Sequence, residues 1–233
     1  LTTLLTIERD DALVGAIDWF ATHNTSMTNR NTLISSDNKG YAAYRWERVL
    51  SGVDYRDSAA PELITAFAQT NAGDMSPNLN GKPGSGPTED EVTNTRLIGT
   101  RQLDNALELH AGETVPLDGP IDHRLLYVTL SNVAVSAAYT GDGKTHNTGR
   151  PAAGASALAG AWADGVGFPG FREGSNPVFD LLSRHVVYRL APGFADSHAP
   201  KGVVLPGGLL NSVTPFVAER VPVQLIRLGQ LYL

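Results

Sequence analysis

Residues 66–80 read A-F-A-Q-T-N-A-G-D-M-S-P-N-L-N, an apolar run that ends abruptly in small polar residues around Ser76. Glu62–Gln69 is apolar enough for a buried strand, and Asn71–Asp74 consists of residues that commonly end strands. Pro77 disfavours helical geometry at the residue before it. The pattern predicts a strand that delivers the Ser76 hydroxyl to a surface turn. That hydroxyl is either a nucleophile or an ordinary turn hydroxyl bonded to the backbone.

Composition places the chain among globular proteins and excludes several functions. Its 233 residues, 42% of them hydrophobic, suit one packed domain. The net charge of −6 and the lack of a basic run argue against nucleic-acid binding. Cysteine is absent, which excludes disulfides and thiolate chemistry. No apolar run approaches the roughly 18 residues of a membrane span, and no signal peptide is visible.

Strand and helix patterns alternate along the chain and predict an α/β fold, with a mixed, largely antiparallel β-sheet core flanked by helices. Leu1–Glu8 and Leu13–Thr22 are expected to form a hairpin that delivers His23. The remaining predictions are helices at 37–49, 88–112, 152–163 and 176–187, strands at 123–135 and 221–233, and a loop at 191–220. The chain lacks an initial methionine, and both of its ends are strand-like, which predicts that it is part of a longer sequence.

Two further patterns carry structural predictions. Tyr41, Tyr44, Trp46 and Val49 recur at helical spacing and are expected to pack in the core. The loop Asn80–Pro87 (N-G-K-P-G-S-G-P) cannot hold regular structure. It lacks the Lys-Ser/Thr pair of a phosphate-binding loop, so we expect its backbone to wrap close beside the serine turn instead.

Six histidines occur, and none are paired at the spacings of compact zinc motifs, so no metal site is encoded locally. His23 differs from the others because it follows an apolar strand and precedes a long polar loop. It is a candidate metal ligand, with a structural role as the alternative. The G-x-S-x-G elbow of α/β-hydrolases is absent around Ser76, which disfavours a general serine esterase. Activation of the serine by a bound metal ion remains open.

Four blocks together resemble the neutral/alkaline ceramidase family, and they occur in the family's order. They read T-H-N-T-S-M-T-N-R-N-T-L-I-S-S-D-N-K-G-Y-A (22–42), F-A-Q-T-N-A-G-D-M-S-P-N-L-N (67–80), K-P-G-S-G-P (82–87) and V-P-V-Q-L-I-R-L-G-Q-L (221–231). The resemblance covers the whole chain. It implies zinc-dependent hydrolysis of the N-acyl bond of ceramide to sphingosine and a fatty acid, with Ser76 as the nucleophile and His23 as a zinc ligand.

The resemblance also implies parts that the chain lacks. Family members have a second zinc-binding histidine and a catalytic arginine upstream, and a glutamate and a tyrosine ligand downstream. Family members also have a C-terminal immunoglobulin-like domain. We therefore expect residues 1–233 to be the central portion of a single catalytic domain, inactive in isolation because one histidine cannot hold a catalytic zinc. The remaining segments of that domain are then its partners.

The substrate and the location follow from the same resemblance. Ceramide is nearly insoluble, so peripheral contact with a membrane surface is expected, and Gly165–Phe171 is a candidate for it. The family implies a secreted, extracellular or periplasmic protein. Two readings stay open: a zinc-dependent ceramidase, and a non-catalytic sphingolipid-binding or structural fragment of such a protein.

Overall fold

The computed structural model describes residues 2–57, 59 and 61–233, which form two compact units. The first unit comprises the chain up to Val115 together with Ala161–Val166. The second comprises Pro116–Gly160 and Gly167–Leu233. His23 and Ser76 both belong to the first unit.

The first unit is built on a three-stranded mixed sheet. Its strands are β1 (Thr2–Arg9), β2 (Ala12–Phe20) and β3 (Ile64–Gln69), in the order β1-β2-β3. The β1–β2 pair is antiparallel and confirms the predicted hairpin from Thr2 onward, Leu1 lying outside the described residues, whereas β2 and β3 are parallel. Asp10 and Asp11 join the hairpin with φ values of 51° and 61°. Two consecutive residues with positive φ give the turn the twist that a two-residue hairpin requires.

Two helices cover this sheet, as predicted. Helix α1 (Asp37–Tyr44) continues into a π-helical turn, Arg45–Leu50. Helix α2 (Glu91–Ala111) begins after Asp90, whose side chain accepts a hydrogen bond from the Thr93 N–H, and it ends at Gly112. The helices approach closely at Gly99, where a Cβ atom would lie 2.5 Å from the Asn38 carbonyl oxygen. Only glycine fits at this contact.

The buried core of the unit is shared by the sheet and the helices. Its hydrophobic members are Ala16, Ala42, Trp46, Val53, Leu63, Phe67, Leu103 and Ala106. The predicted aromatic stripe is correct for Trp46, which is 4% exposed, but wrong for Tyr44 and Val49, which are 46% and 53% exposed. Tyr44 precedes the π-helical turn and lies two residues from Trp46, so it falls on the opposite face of the helix. The wider spacing of the π-helical turn then rotates Val49 away from the buried face.

The second unit contains mostly short elements. Its longest ladder pairs β4 (Ile121–Thr129) antiparallel with a late strand, Arg220–Leu228. That late strand is β11, and the other elements of the unit are β5 (Ala134–Val135), β6 (His146–Asn147), β7 (Ala153–Gly154), α3 (Ala155–Leu158), α4 (Pro177–Leu182), α5 (Tyr188–Leu190), α6 (Pro192–His198), β10 (Val203–Leu205), α7 (Gly207–Leu210) and β12 (Leu231–Tyr232). Two short strands, β8 (Gly160–Ala161) and β9 (Gly165–Val166), lie in the chain between α3 and α4, and Ala161 and β9 belong to the first unit. A π-helical turn, Ser183–Val187, joins α4 to α5 and completes the helix predicted at 176–187.

Four predictions for this region are wrong in part. The strand expected at 221–233 turns back at Gly229, which has a φ of 60°, so that β11 pairs antiparallel with β12. The helix expected at 152–163 is confined to α3, because Gly160 adopts a φ of 71° that ends it. The strand expected at 123–135 is interrupted after Thr129 by a turn in which Asn132 has a φ of 61°. The loop expected at 191–220 contains α6, β10 and α7. Pro192 begins α6, since proline is well suited to the first turn of a helix.

None of the described helices combines the length and the apolar character needed to cross a membrane.

Candidate active site

The end of β2 and the turn after β3 are joined by backbone hydrogen bonding. The His23 N–H donates to the Met75 carbonyl oxygen at 2.9 Å, and the Met75 N–H donates to the Ala72 carbonyl oxygen at 3.0 Å. Gly73 takes a left-handed conformation, with a φ of 57°, inside this turn. The two predicted site residues are therefore neighbours, because His23 is fixed to the residue directly before Ser76.

Asp164 joins the predicted residues through its carboxylate. Its Oδ1 accepts hydrogen bonds from the Ser76 hydroxyl, from Thr25 Oγ1 at 2.8 Å and from Asn78 Nδ2 at 3.0 Å. Its Oδ2 lies 3.3 Å from His23 Nδ1. The side chain of Asp164 is 11% exposed. The candidate site is thus a serine–carboxylate–imidazole cluster within the first unit.

Asp164 was missed by sequence reasoning. It lies 88 residues from Ser76 in the chain, in a segment of small residues that matches no catalytic motif. Its position is set by a short turn between β8 and β9, in which the Asp164 N–H donates to the Ala161 carbonyl oxygen at 3.0 Å. The Asp-Gly pair at 164–165 indicates a turn but carries no signal for a catalytic carboxylate.

Burial raises the pKa of Asp164, but hydrogen bonds from Ser76, Thr25, His23 and Asn78 together outweigh that effect and hold the pKa below its usual range. The carboxylate is therefore ionised at neutral pH and can only accept hydrogen bonds. It follows that His23 donates through Nδ1–H. Among the described residues, the ring is hydrogen-bonded at this nitrogen, and Nε2 is the nitrogen oriented away from the carboxylate.

The polar loop after His23 is ordered by buried side chains at the start of α1. Asp37 accepts hydrogen bonds from the backbone N–H groups of Ser26 at 3.1 Å and Met27 at 2.8 Å. Asn38, which is fully buried, donates to the His23 carbonyl oxygen at 3.1 Å and to Ser26 Oγ at 2.9 Å. The backbone of His23 is therefore held from two directions, by Met75 and by Asn38.

The glycine-rich loop packs against the other side of the serine turn, as predicted. Asn78 Oδ1 accepts a hydrogen bond from the Gly84 N–H at 3.0 Å, and the Asn78 N–H donates to Ser76 Oγ at 3.0 Å. Gly86, with a φ of 108°, brings its backbone so close that a Cβ atom would lie 2.5 Å from the Leu79 nitrogen. The loop thus supports the turn that presents Ser76.

Ser76 borders a cavity of about 340 Å³ inside the first unit. Apolar groups of Phe20, Met75, Leu79 and Ile98 contribute to its lining, together with polar groups from α2. A cavity of this size can admit part of a ligand with an apolar portion.

Two buried ionisable residues, Asp18 and Lys39, lie close to the ends of the strands that lead to the site, and Asp18 also lines the cavity. Lys39 donates to the carbonyl oxygens of Phe20 at 2.9 Å and Ala68 at 3.1 Å, at the ends of β2 and β3. Burial raises the pKa of Asp18 to about 6, although the Lys39 charge opposes the shift. Burial likewise lowers the pKa of Lys39, and Asp18 opposes that shift. Lys39 therefore ties together the ends of the two strands that lead to His23 and Ser76.

Within the cluster, His23 is suited to be one ligand of a metal ion. The cluster does not provide the full set of ligands that a metal site needs. A histidine that binds zinc typically donates its other ring N–H to a carboxylate, which is the arrangement of His23 and Asp164. A catalytic zinc ion needs about three protein ligands. Over residues 2–57, 59 and 61–233, no three histidine, cysteine, aspartate or glutamate side chains are grouped closely enough to hold a metal ion.

These features define an α/β protein in which a turn serine shares a buried carboxylate with an imidazole. The family model for neutral/alkaline non-lysosomal ceramidase, N-terminal, matches residues 1–233. The chain belongs to this family, which confirms the resemblance found in its motifs.

Individual relatives are close across the whole chain. The neutral ceramidase of Mycobacterium tuberculosis (strain ATCC 25618 / H37Rv) is 53% identical over 233 residues, which are 100% of this chain and 36% of that protein. The neutral ceramidase of Pseudomonas aeruginosa is 39% identical over 100% of this chain and 33% of its own length. A solved structure described as a ceramidase complexed with C2 superimposes with a TM-score of 0.80 at 38% identity, covering 99% of this chain and 35% of that chain. The chain thus spans about a third of the length of the curated relatives it matches.

Proposed function

We propose that this chain contributes the nucleophile and one metal ligand to an enzyme that hydrolyses the N-acyl bond of ceramide, giving sphingosine and a free fatty acid. The observation that carries the proposal is the hydrogen-bonded cluster of Ser76, Asp164 and His23 in a chain 53% identical to a neutral ceramidase. The amide substrate class comes from the names of the relatives, and the cluster supplies groups suited to acyl transfer.

Ser76 is the proposed nucleophile. Its oxygen attacks the acyl carbon, the carbon–nitrogen bond breaks, and the sphingoid amine leaves with the proton that the hydroxyl gave up. Water then hydrolyses the resulting ester, which releases the fatty acid and restores the serine. The hydroxyl is suited to this role because its proton points to Asp164 while the Asn78 N–H fixes the oxygen.

His23 is the proposed zinc ligand, through Nε2. A zinc ion bound there would polarise the acyl carbonyl group and stabilise negative charge on its oxygen. The other ligands would come from sequence outside the described residues, in keeping with the fraction of the relatives that the chain spans. In this proposal residues 1–233 are the central portion of one catalytic domain, and its remaining segments are the partners.

Contact with a membrane surface and an exported location are part of the same proposal. A water-insoluble substrate is best taken from a lipid surface, and Phe168, which is 67% exposed, is an apolar group available for such contact.

A second candidate function is a non-catalytic sphingolipid-binding or structural role. The observation in its favour is that residues 2–57, 59 and 61–233 contain no group of three side chains that could together hold a metal ion. The two candidates differ in a direct measurement of ceramide turnover.

Hydrolysis of a fluorescent ceramide by the protein expressed from its complete gene tests the proposal. We expect Ser76→Ala to lower kcat at least about 100-fold, since the covalent step is lost. Ser51→Ala, at an exposed serine in the same unit, is the matched control and should retain activity. Turnover that survives Ser76→Ala would reject Ser76 as the nucleophile, and a wild-type protein without turnover that still binds ceramide would favour the second candidate.

A further inference from the structure

The two oxygens of Asp164 have separate sets of partners. Three donors converge on Oδ1, from Ser76, Thr25 and Asn78, whereas Oδ2 faces the ring of His23 alone among the described residues. The position of Oδ1 is therefore held by three donors other than the imidazole. The carboxylate is thus anchored at one oxygen while the other accepts from His23.

We propose that Asp164 is the positioning residue of this site, which sets the tautomer of His23 through Oδ2 and the direction of the Ser76 hydroxyl through Oδ1. The proposal deepens the proposed function and rests on it for the roles of the serine and the imidazole. The contacts themselves do not depend on what the enzyme hydrolyses.

The effect on the imidazole follows from donor and acceptor chemistry. A neutral imidazole carries its proton on one nitrogen only, and the other is the acceptor or metal ligand. An ionised carboxylate at Oδ2 accepts from Nδ1–H, so Nε2 keeps its lone pair. Without this partner the proton could occupy Nε2 and block metal binding there.

The effect on the serine follows from counting the donor and acceptor positions of its hydroxyl group. Ser76 Oγ donates its hydrogen to Asp164 and accepts one hydrogen bond from the Asn78 N–H. A hydroxyl oxygen has two lone pairs, so one remains for attack on a carbonyl carbon. Asp164 and Asn78 together determine where this lone pair points, and Asn78 also donates to Asp164 through its side chain.

Asp164→Asn provides a specific test because the introduced amide can be oriented in only one favourable way. Its oxygen would occupy the Oδ1 position, since an NH₂ group there would face the donors of Thr25 and Asn78. Its NH₂ group would then face His23 Nδ1, which must become an acceptor. The variant is therefore expected to move the proton to Nε2 while it preserves the hydrogen bond from Ser76.

The measurement is the pair of ring ¹⁵N chemical shifts of His23 in the metal-free protein expressed from its complete gene, labelled at histidine, in mildly alkaline buffer. We expect the Nδ1–H tautomer to predominate in the wild type and the Nε2–H tautomer in Asp164→Asn. The matched control is Asp142→Asn, which removes an exposed carboxylate 2.9 Å from the His146 ring and should leave the His23 shifts unchanged. A wild-type His23 that is mainly Nε2–H would overturn the proposal, even if the variant failed to fold.

Kinetics separate positioning from the proposed reaction. In the protein expressed from its complete gene, Asp164→Asn should lower kcat about 10- to 100-fold and leave KM within about twofold. An unchanged tautomer and kcat in the folded variant would reject the role of Asp164. A wild type that shows the expected tautomer but hydrolyses no ceramide would reject the proposed function and leave the positioning of His23 intact.

Discussion

The backbone N–H of His23 donates to the carbonyl oxygen of Met75 at 2.9 Å, which fixes the end of one strand beside the turn that presents Ser76. The strands involved, β2 and β3, are parallel neighbours, so both chain segments leave the same edge of the sheet. Ends of parallel strands are a common place for functional side chains because loops there converge. This contact explains how two residues from separate motifs reach one site.

Removing the imidazole should weaken metal binding. We expect His23→Ala, in the protein expressed from its complete gene, to lower zinc affinity at least about tenfold, because one of the few protein ligands is lost. Zinc content after dialysis against a graded chelator measures the effect. His185→Ala, at an exposed histidine, is the control and should keep the wild-type content. Full zinc occupancy in His23→Ala would remove His23 from the ligand set.

Adding a methyl group at the contact between α1 and α2 should destabilise the first unit. Gly99→Ala places Cβ 2.5 Å from the Asn38 carbonyl oxygen, and a backbone atom cannot move aside as a flexible side chain can. Overpacking of this kind costs about 1–3 kcal/mol, which exceeds the roughly 1 kcal/mol that alanine gains over glycine in a helix. Urea unfolding should show a lower free energy of unfolding. Gly193→Ala lies in helix α6 with open space at Cβ and should keep stability unchanged or raise it by up to about 1 kcal/mol. Equal stabilities of the two variants would contradict the packing argument.

Asp18 should make stability fall as pH rises from about 4 to 6. Its pKa is raised from 3.8 to about 6 in the folded chain, so the folded state binds more protons than the unfolded state across this window. The free energy of unfolding of the wild type minus that of Asp18→Asn should therefore decrease by up to about 3 kcal/mol as pH rises through this window. Denaturant titrations at several pH values measure this difference. A constant difference would show that the carboxyl does not titrate in this range when folded.

Glu219 should have the opposite effect in the second unit. Hydrogen bonds from Arg150, Ser131 and Asn211 hold the pKa of Glu219 at about 2, below its usual 4.5. A depressed pKa contributes stability that is present above pH 4.5 and is lost as pH falls toward 2. The Tm advantage of the wild type over Glu219→Gln should thus shrink on acidification. Because Glu113 is exposed and lies outside this network, Glu113→Gln should show no such trend.

Local signals in the chain were sufficient for the elements that build the first unit. The Asp10-Asp11 hairpin, the capped helix α2 and the strand before Ser76 each depend on residues close in sequence. The predictions of secondary structure were wrong where contacts with residues distant in sequence compete with the local conformational preference of the chain. The π-helical turn that exposes Val49 is one example, and Pro192, which begins a helix instead of ending regular structure, is another.

The sequence by itself determined the family, the hairpin and the candidate roles of Ser76 and His23, because contiguous motifs carry that information. Only the tertiary structure decided that these residues share one carboxylate. Asp164 lies 141 residues from His23 in the chain, and its turn carries no pattern that distinguishes it from other Asp-Gly pairs. A hydrogen bond between residues so far apart depends on how the chain folds back on itself, which no local spacing records.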